Sequence, residues 1–396
     1  MKKQIITILL FTGYYLVQAQ SVTEIIKNAS DLMDKHKYES AFVYLERGDT
    51  SNANPDIFLM KLQLALNNSS SNSGLLLFSF TDDTSSAVNE SPVITGQHIF
   101  YVLEIADNLL TQNPDNCNLY KGLSAYYNEA YQRYGNSWRM PPADILKMTD
   151  SLTDKVINLG CSDFSTYYIK GFTKLAQANT NEALTYLRKS NLIQPDVAEV
   201  NYYLAVAHLY LNDLDSSLLL ANLAYKQYSD AVGKANASRL AAEDYYQMKK
   251  DSDAVFFYER SNVLQPNNYY TLQPLLELYV KRDNPAEGKL LDKFYHLNPS
   301  AIDIYRDLNS IYLNNQKETK LIKYYEKQLT QYADSTVISG NILFFSGELL
   351  MKSNPKAAQD YLKRAATKFH EIYADDNPVF EAIRSLEQQM EDSGKE

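Results

Sequence analysis

From Tyr167 onward, large and small apolar residues recur at helical spacing. Tyr167 is followed four positions later by Gly171, which places a large and a small residue on one helix face. Ala183 and Leu187 make a second such pair, and Pro195 closes the segment. Small residues let two helices cross closely. Proline, which lacks an N–H, ends the second helix. Residues 164–195 therefore predict a helix–turn–helix. The pattern returns with Leu204 and Ala205 against Ala221 and Ala224. It returns again with Ala242 and Tyr245 against Ala254, Tyr258 and Pro266. Pro195 and Pro266 lie about two such units apart, and Pro266 and Pro299 lie one unit apart. Segments 301–334 and 337–371 are looser, although Ala358, Leu362 and Ala365 restore the second-helix pattern. In 268–299, Glu287 takes the small position and Pro274 falls inside the first helix, so a kink is expected there.

Upstream the rhythm weakens. Ala41 and Leu45 suggest a second helix, and Tyr120, Leu123 and Tyr127 a first one. Helices are also expected over 57–66, over 98–110, and from Pro142 to about Leu159. Residues 379–390 read as a polar-faced helix able to cap a stack. Segment 67–96 breaks the pattern. It is rich in Ser, Asn and Thr and reads as a long loop, with an apolar run from Gly74 to Phe80. That run either tucks onto neighbouring helices or touches a partner or a membrane.

These units resemble the tetratricopeptide repeat, a helix–turn–helix of about 34 residues with a W-x2-L-G-x2-Y…A-x3-F…P pattern. The resemblance is good over 164–299 and extends to 371. Tyr167 stands where the family has tryptophan. The resemblance implies an all-α, right-handed solenoid of eight or nine helix–turn–helix units with a C-terminal capping helix. It divides the chain into a degenerate helical region at 20–163, an array at 164–371, and a cap and tail at 372–396. In that family the first helix of each unit lines a concave surface, chiefly through its second, fifth, ninth, twelfth and thirteenth positions. Carried onto this sequence, the fifth and twelfth positions nominate Tyr168, Tyr202, Arg239, Tyr246, Tyr279, Tyr305 and Tyr312 as partner-binding residues. Tyrosine offers a flat apolar face and a hydroxyl at low entropic cost, and Arg239 could grip a carboxylate.

The first residues change the setting. Lys2 and Lys3 precede an apolar stretch, and Val17-Gln18-Ala19 fits a small-residue cleavage site, so 1–19 reads as a signal peptide. The first cysteine is Cys117, far from that site, which argues against a lipoprotein. No later run is long and apolar enough to span a bilayer. The expected address is the periplasm or the exterior. Export permits a disulfide between Cys117 and Cys161; two separate thiols packed among helices is the other arrangement.

Composition narrows the function classes. Only 13 Gly and 12 Pro in 396 residues argue against an all-β or disordered chain. A net charge of −10 argues against nucleic acid as partner. Phosphate-loop, dinucleotide, HExxH and GxSxG motifs are missing from the sequence. The five histidines, His36, His98, His208, His296 and His370, stand at no metal-ligand spacing. The expectation is a non-catalytic, exported scaffold without cofactor or metal, binding a protein or peptide of the cell envelope. A glycan-binding accessory protein that uses the tyrosine face is the alternative, and an envelope hydrolase is a remote one.

Overall fold

The computed structural model describes residues 21–83 and 94–393. The signal-peptide reading of 1–19 lies outside the described residues. The chain divides after Pro195 into two compact units.

The first unit holds α1 (Val22–Met33), α2 (Tyr38–Gly48), α3 (Pro55–Asn68), β1 (Ser71–Ser73), β2 (Leu77–Asp82), β3 (Ile94–Ile99), α4 (Val102–Gln112), α5 (Cys117–Tyr134), α6 (Pro142–Asn158), α7 (Phe164–Ala176) and α8 (Thr180–Ile193). α1 packs on α2, α5 on α6 and α7 on α8 as antiparallel hairpins. Gly171 shows why the hairpin needs a small residue: a Cβ placed there would lie 2.7 Å from Leu187 Cγ. Asp163 opens α7 with a reciprocal capping box to Thr166, satisfying backbone donors at the helix start. Cys117, at the start of α5, and Cys161, just beyond α6, are joined by a disulfide with Cα atoms 6.6 Å apart.

Where a loop was expected at 67–96, the described residues form a three-stranded antiparallel sheet in the order β1-β2-β3; the part of that expectation at 84–93 lies outside the described residues. Its apolar run tucks inward. Phe78 and Phe80 alternate with Ser79 and face the core, where Phe80 stacks on Phe42 of α2 with centroids 4.6 Å apart. The β1–β2 turn takes left-handed backbone at Gly74 and Leu75. That turn is held from α5 and the segment after it. Tyr126 Oη donates to the Leu75 carbonyl at 2.9 Å, and the sole tryptophan, Trp138, donates to the Gly74 carbonyl at 2.9 Å.

The second unit holds α9 (Ala198–Tyr210), α10 (Leu214–Gln227), α11 (Ala231–Gln247), α12 (Asp251–Leu264), α13 (Tyr269–Lys281), α14 (Glu287–Tyr295), α15 (Ile302–Asn314), α16 (Glu318–Gln331), α17 (Thr336–Leu350), α18 (Pro355–Phe369) and α19 (Pro378–Ser393). Each helix of α9–α18 pairs with its neighbour to form five consecutive hairpins, so the unit is an α-solenoid. α19 covers the last one, burying Phe380 and Ile383 against Leu343 and Phe369. α13 runs through Pro274, which has no N–H to offer the Tyr270 carbonyl one turn back.

One backbone feature repeats through both units. The turn inside each hairpin from α7 to α16 carries a single left-handed residue: Ala178, Asn212, Lys249, Asp283 and Gln316, with φ between 52° and 61°. Left-handed backbone lets the chain leave one helix and start the antiparallel one within a few residues. Successive positions lie about 34 residues apart, the length of one repeat.

Candidate functional site

The nominated residues take three environments. Tyr168 of α7 is half-buried, with its ring parallel to Phe164 at 6.3 Å. Tyr202, Arg239 and Tyr246 are half-buried on the first helices α9 and α11. Tyr279, Tyr305 and Tyr312 are interior, the last two wholly so, and do not line a groove. Tyr305 stacks on Phe345 at 5.1 Å while its hydroxyl donates to the Pro299 carbonyl at 2.7 Å and meets Tyr295 Oη at 3.1 Å. Tyr312 Oη donates to Glu287 at 2.8 Å, and Tyr279 Oη donates to Glu259.

Polar pairing between helices runs through both the half-buried and the interior groups. Among the described residues of the second unit, seven tyrosines donate to a carboxylate on another helix. The pairs are Tyr246–Glu277, Tyr258–Glu243, Tyr269–Asp307, Tyr279–Glu259, Tyr312–Glu287, Tyr324–Asp292 and Tyr361–Glu326. Glu287 occupies the small-residue position of its repeat. It is tolerated there because Tyr312 and the Lys320 ammonium, 3.0 Å away, satisfy it. Seven of the 32 tyrosines thus serve helix packing through such pairs. Burial raises each phenol's pKa, and for Tyr246, pushed up to about 12, the neighbouring Glu277 adds to it. Tyr305→Phe removes a buried donor and leaves the Pro299 carbonyl unpaired. A stability loss of about 1–3 kcal/mol is expected in urea titration, against no measurable loss for Tyr373→Phe in the exposed segment after α18.

Three of the first helices of the second unit, α9, α11 and α13, line a groove of about 580 Å³. Tyr202 and Tyr210 come from α9, Arg239 and Glu243 from α11, and Tyr270 from α13. Tyr258 of α12 closes it from behind and donates to Glu243 at 2.9 Å. Burial raises the Tyr202 pKa, and the adjacent Arg239 guanidinium opposes the rise. The guanidinium lies 5.9 Å from the Tyr270 ring centre and reaches Asn236 only at 3.4 Å. No carboxylate of the described residues forms an ion pair with it. The groove therefore offers aromatic faces around a cation without an ion-pair partner, suited to an acidic or carboxylate-bearing ligand with an apolar body.

A groove on the first helices of consecutive hairpins, with a turn every 34 residues or so, decides the architecture. The hairpins share the helix–turn–helix form and the repeat length of tetratricopeptide repeats. No protein-family model and no curated protein matches the chain. Solved structures similar to it include YrrB, described as a TPR protein with an unusual peptide-binding site. YrrB is 17% identical over 44% of this chain and 81% of its own, with a TM-score of 0.36. PilF of Pseudomonas aeruginosa is 12% identical over 56% of this chain and 96% of its own, at 0.42. PilW, a widely conserved type IV pilus biogenesis factor, is 13% identical over 63% and 96%, at 0.44. At such identities the likeness concerns the fold alone.

The register of the tetratricopeptide resemblance alone misses Tyr210, Tyr258, Glu243 and Tyr270 in this groove. The twelfth position of α9 is Leu209, one residue before Tyr210, and the fifth of α13 is the buried Leu272, two beyond the 68%-exposed Tyr270. The signal available in the sequence was the doubled pair Tyr269-Tyr270: about 100° apart on a helix, the two rings cannot share one face.

Beside the groove, α11 carries one costly group. Asp244 is fully buried, its Oδ2 accepts from Ser217 of α10 at 3.0 Å, and its Oδ1 has no partner. Burial, with a smaller push from Glu243, raises its pKa to about 7.

Proposed function

We propose that this protein is a non-catalytic, exported scaffold that binds a protein or peptide of the cell envelope in the α9–α11–α13 groove. The observation that carries the reading is Arg239, half-buried among Tyr202 and Tyr270 without an ion-pair partner. A desolvated arginine beside rigid aromatic side chains is the composition of a binding hot spot. The export reading rests on Lys2, Lys3 and the Val17-Gln18-Ala19 site. No helix among the described residues is long and apolar enough to cross a membrane.

The test is affinity capture from an envelope extract of the host, with the mature chain from Gln20 as bait and Arg239→Gln and Tyr270→Ala baits beside it. A salt-resistant protein partner retained by the parent, and bound at least tenfold more weakly by both variants, is expected. Equal retention by folded variants would remove the groove from the function. An empty column together with quenching of tyrosine fluorescence by oligosaccharides would favour the glycan reading instead.

A further inference from the structure

We propose that two copies of this chain associate through β3, edge to edge and antiparallel about Gln97. The sheet ends on β3, whose other side meets no strand among the described residues. The β2–β3 register sets Leu77 opposite Ile99 and Phe80 opposite Gly96, and just beyond it the Phe100 N–H donates to the Leu76 carbonyl at 2.9 Å. Antiparallel ladders alternate between residues that bond the neighbouring strand and residues that face away from it. Phe100, His98 and Gly96 therefore bond β2. Thr95, Gln97 and Ile99 turn their N–H and C=O groups to the open side, where no hydrogen bond of the described residues meets them.

Natural edge strands are blunted by lysine, proline, inward charges or bulges. Residues 95–99, Thr-Gly-Gln-His-Ile, contain no lysine, proline or carboxylate, and the register to β2 is unbroken. Among the described residues nothing covers this edge, and the strand is complementary to itself. A two-fold axis at Gln97 pairs Thr95 with Ile99 of the second copy, Gln97 with Gln97, and Ile99 with Thr95. All three outward-facing residues then exchange both backbone bonds. On the solvent face the axis sets the 55%-exposed Ile99 against a β-branched threonine, a favourable cross-strand pair.

On the inner face the axis sets His98 opposite Gly96 of the other copy. Gly96 has no room for a side chain: a Cβ there would fall 2.1 Å from Glu39 Oε1, the carboxylate that His98 Nε2 meets at 3.0 Å. The ring is therefore matched with a position that carries no side chain of its own and is covered by the Glu39 carboxylate. No like charges from residues 95–99 meet across the axis. An extended peptide of another protein would satisfy the same backbone groups. The small–large and β-branched matching is specific to a second copy, and that occupant is the one inferred.

Edge pairing over so short a strand buries less than a standard interface, so association should be reversible and concentration-dependent. Sedimentation velocity of the full mature chain, up to about 1 mM, tests it. A monomer–dimer equilibrium is expected. Gln97→Pro removes the two central donors while sparing the bonds to β2, because the Gln97 N–H faces away from that strand. Ile99→Lys places a charge at each end of the pairing. Each variant should weaken dimerisation at least tenfold. Should Gln97→Pro disturb the sheet, seen as a changed near-UV spectrum, Ile99→Lys decides. Gln97→Cys should cross-link to itself under mild oxidation, since only a residue on the axis faces its own copy. A monomer at every concentration overturns the proposal, whether or not it captures another protein's strand. So does a dimer that folded Ile99→Lys leaves intact, or one that Gln97→Cys fails to cross-link.

Discussion

Opening the Cys117–Cys161 bridge is expected to destabilise the first unit by about 4 kcal/mol. The bridge spans a sequence separation of 44, and constraining a loop of that length removes about that much unfolded-state entropy. The loop contains α5, α6 and the Trp138 segment that pins the β1–β2 turn. Its loss should therefore act on the sheet as well as on the α5–α6 hairpin. Trp138 is the only tryptophan, it is nearly buried, and it lies in the first unit, so its fluorescence reports that unit's unfolding separately. In urea, the double substitution Cys117→Ser, Cys161→Ser should move the tryptophan transition to markedly lower denaturant. Reductant should do the same to the parent protein. An unchanged tryptophan midpoint after complete reduction, verified by thiol titration, would show that the bridge contributes nothing.

Asp244→Asn is expected to stabilise the second unit by roughly 2–4 kcal/mol at pH 8. The sign follows from proton binding. An unfolded aspartate titrates near 3.9, whereas burial raises the folded group to about 7. Between those values the folded state holds more protons than the unfolded one, so stability falls as pH rises through this window. Above about pH 7 the folded chain carries the full cost of a buried carboxylate whose Oδ1 is unpaired. Asparagine has nearly the same shape and can still accept from Ser217, but it has no charge to desolvate. The advantage of the variant should accordingly shrink to roughly 1–2 kcal/mol at pH 5, where the parent is largely protonated. Urea titrations of both proteins at pH 5 and pH 8 measure the difference directly. A gap independent of pH would mean that Asp244 does not titrate as its burial implies.

The helical hairpins were legible because Gly171, Ala183 and Leu187 mark a close helix crossing that few other residues permit. The sheet was harder to read. Its two core-facing phenylalanines, Phe78 and Phe80, alternate over only six residues inside a Ser- and Asn-rich stretch. β3 has no comparable apolar pattern of its own. The groove was legible in part. Tyr202 and Arg239 lie where family register puts them, on α9 and α11. On α13 and α15 the same positions turn inward, at Tyr279, Tyr305 and Tyr312. There the hydroxyls find Glu259, the Pro299 carbonyl and Glu287 across helix boundaries. No local pattern separates a tyrosine with a partner on another helix from one awaiting a ligand, because the partner lies 20 residues away or more in two of these three cases.

The left-handed turn residues bear on how such a chain can change over time. Ala178, Asn212, Lys249, Asp283 and Gln316 share a backbone angle and almost no chemistry. A rule enforced by geometry, not by side chain, lets the letters at that site drift while the spacing between hairpins stays fixed. Descendants of one ancestral repeat could thus lose nearly every shared residue and still stack in step, their kinship kept in the interval between turns.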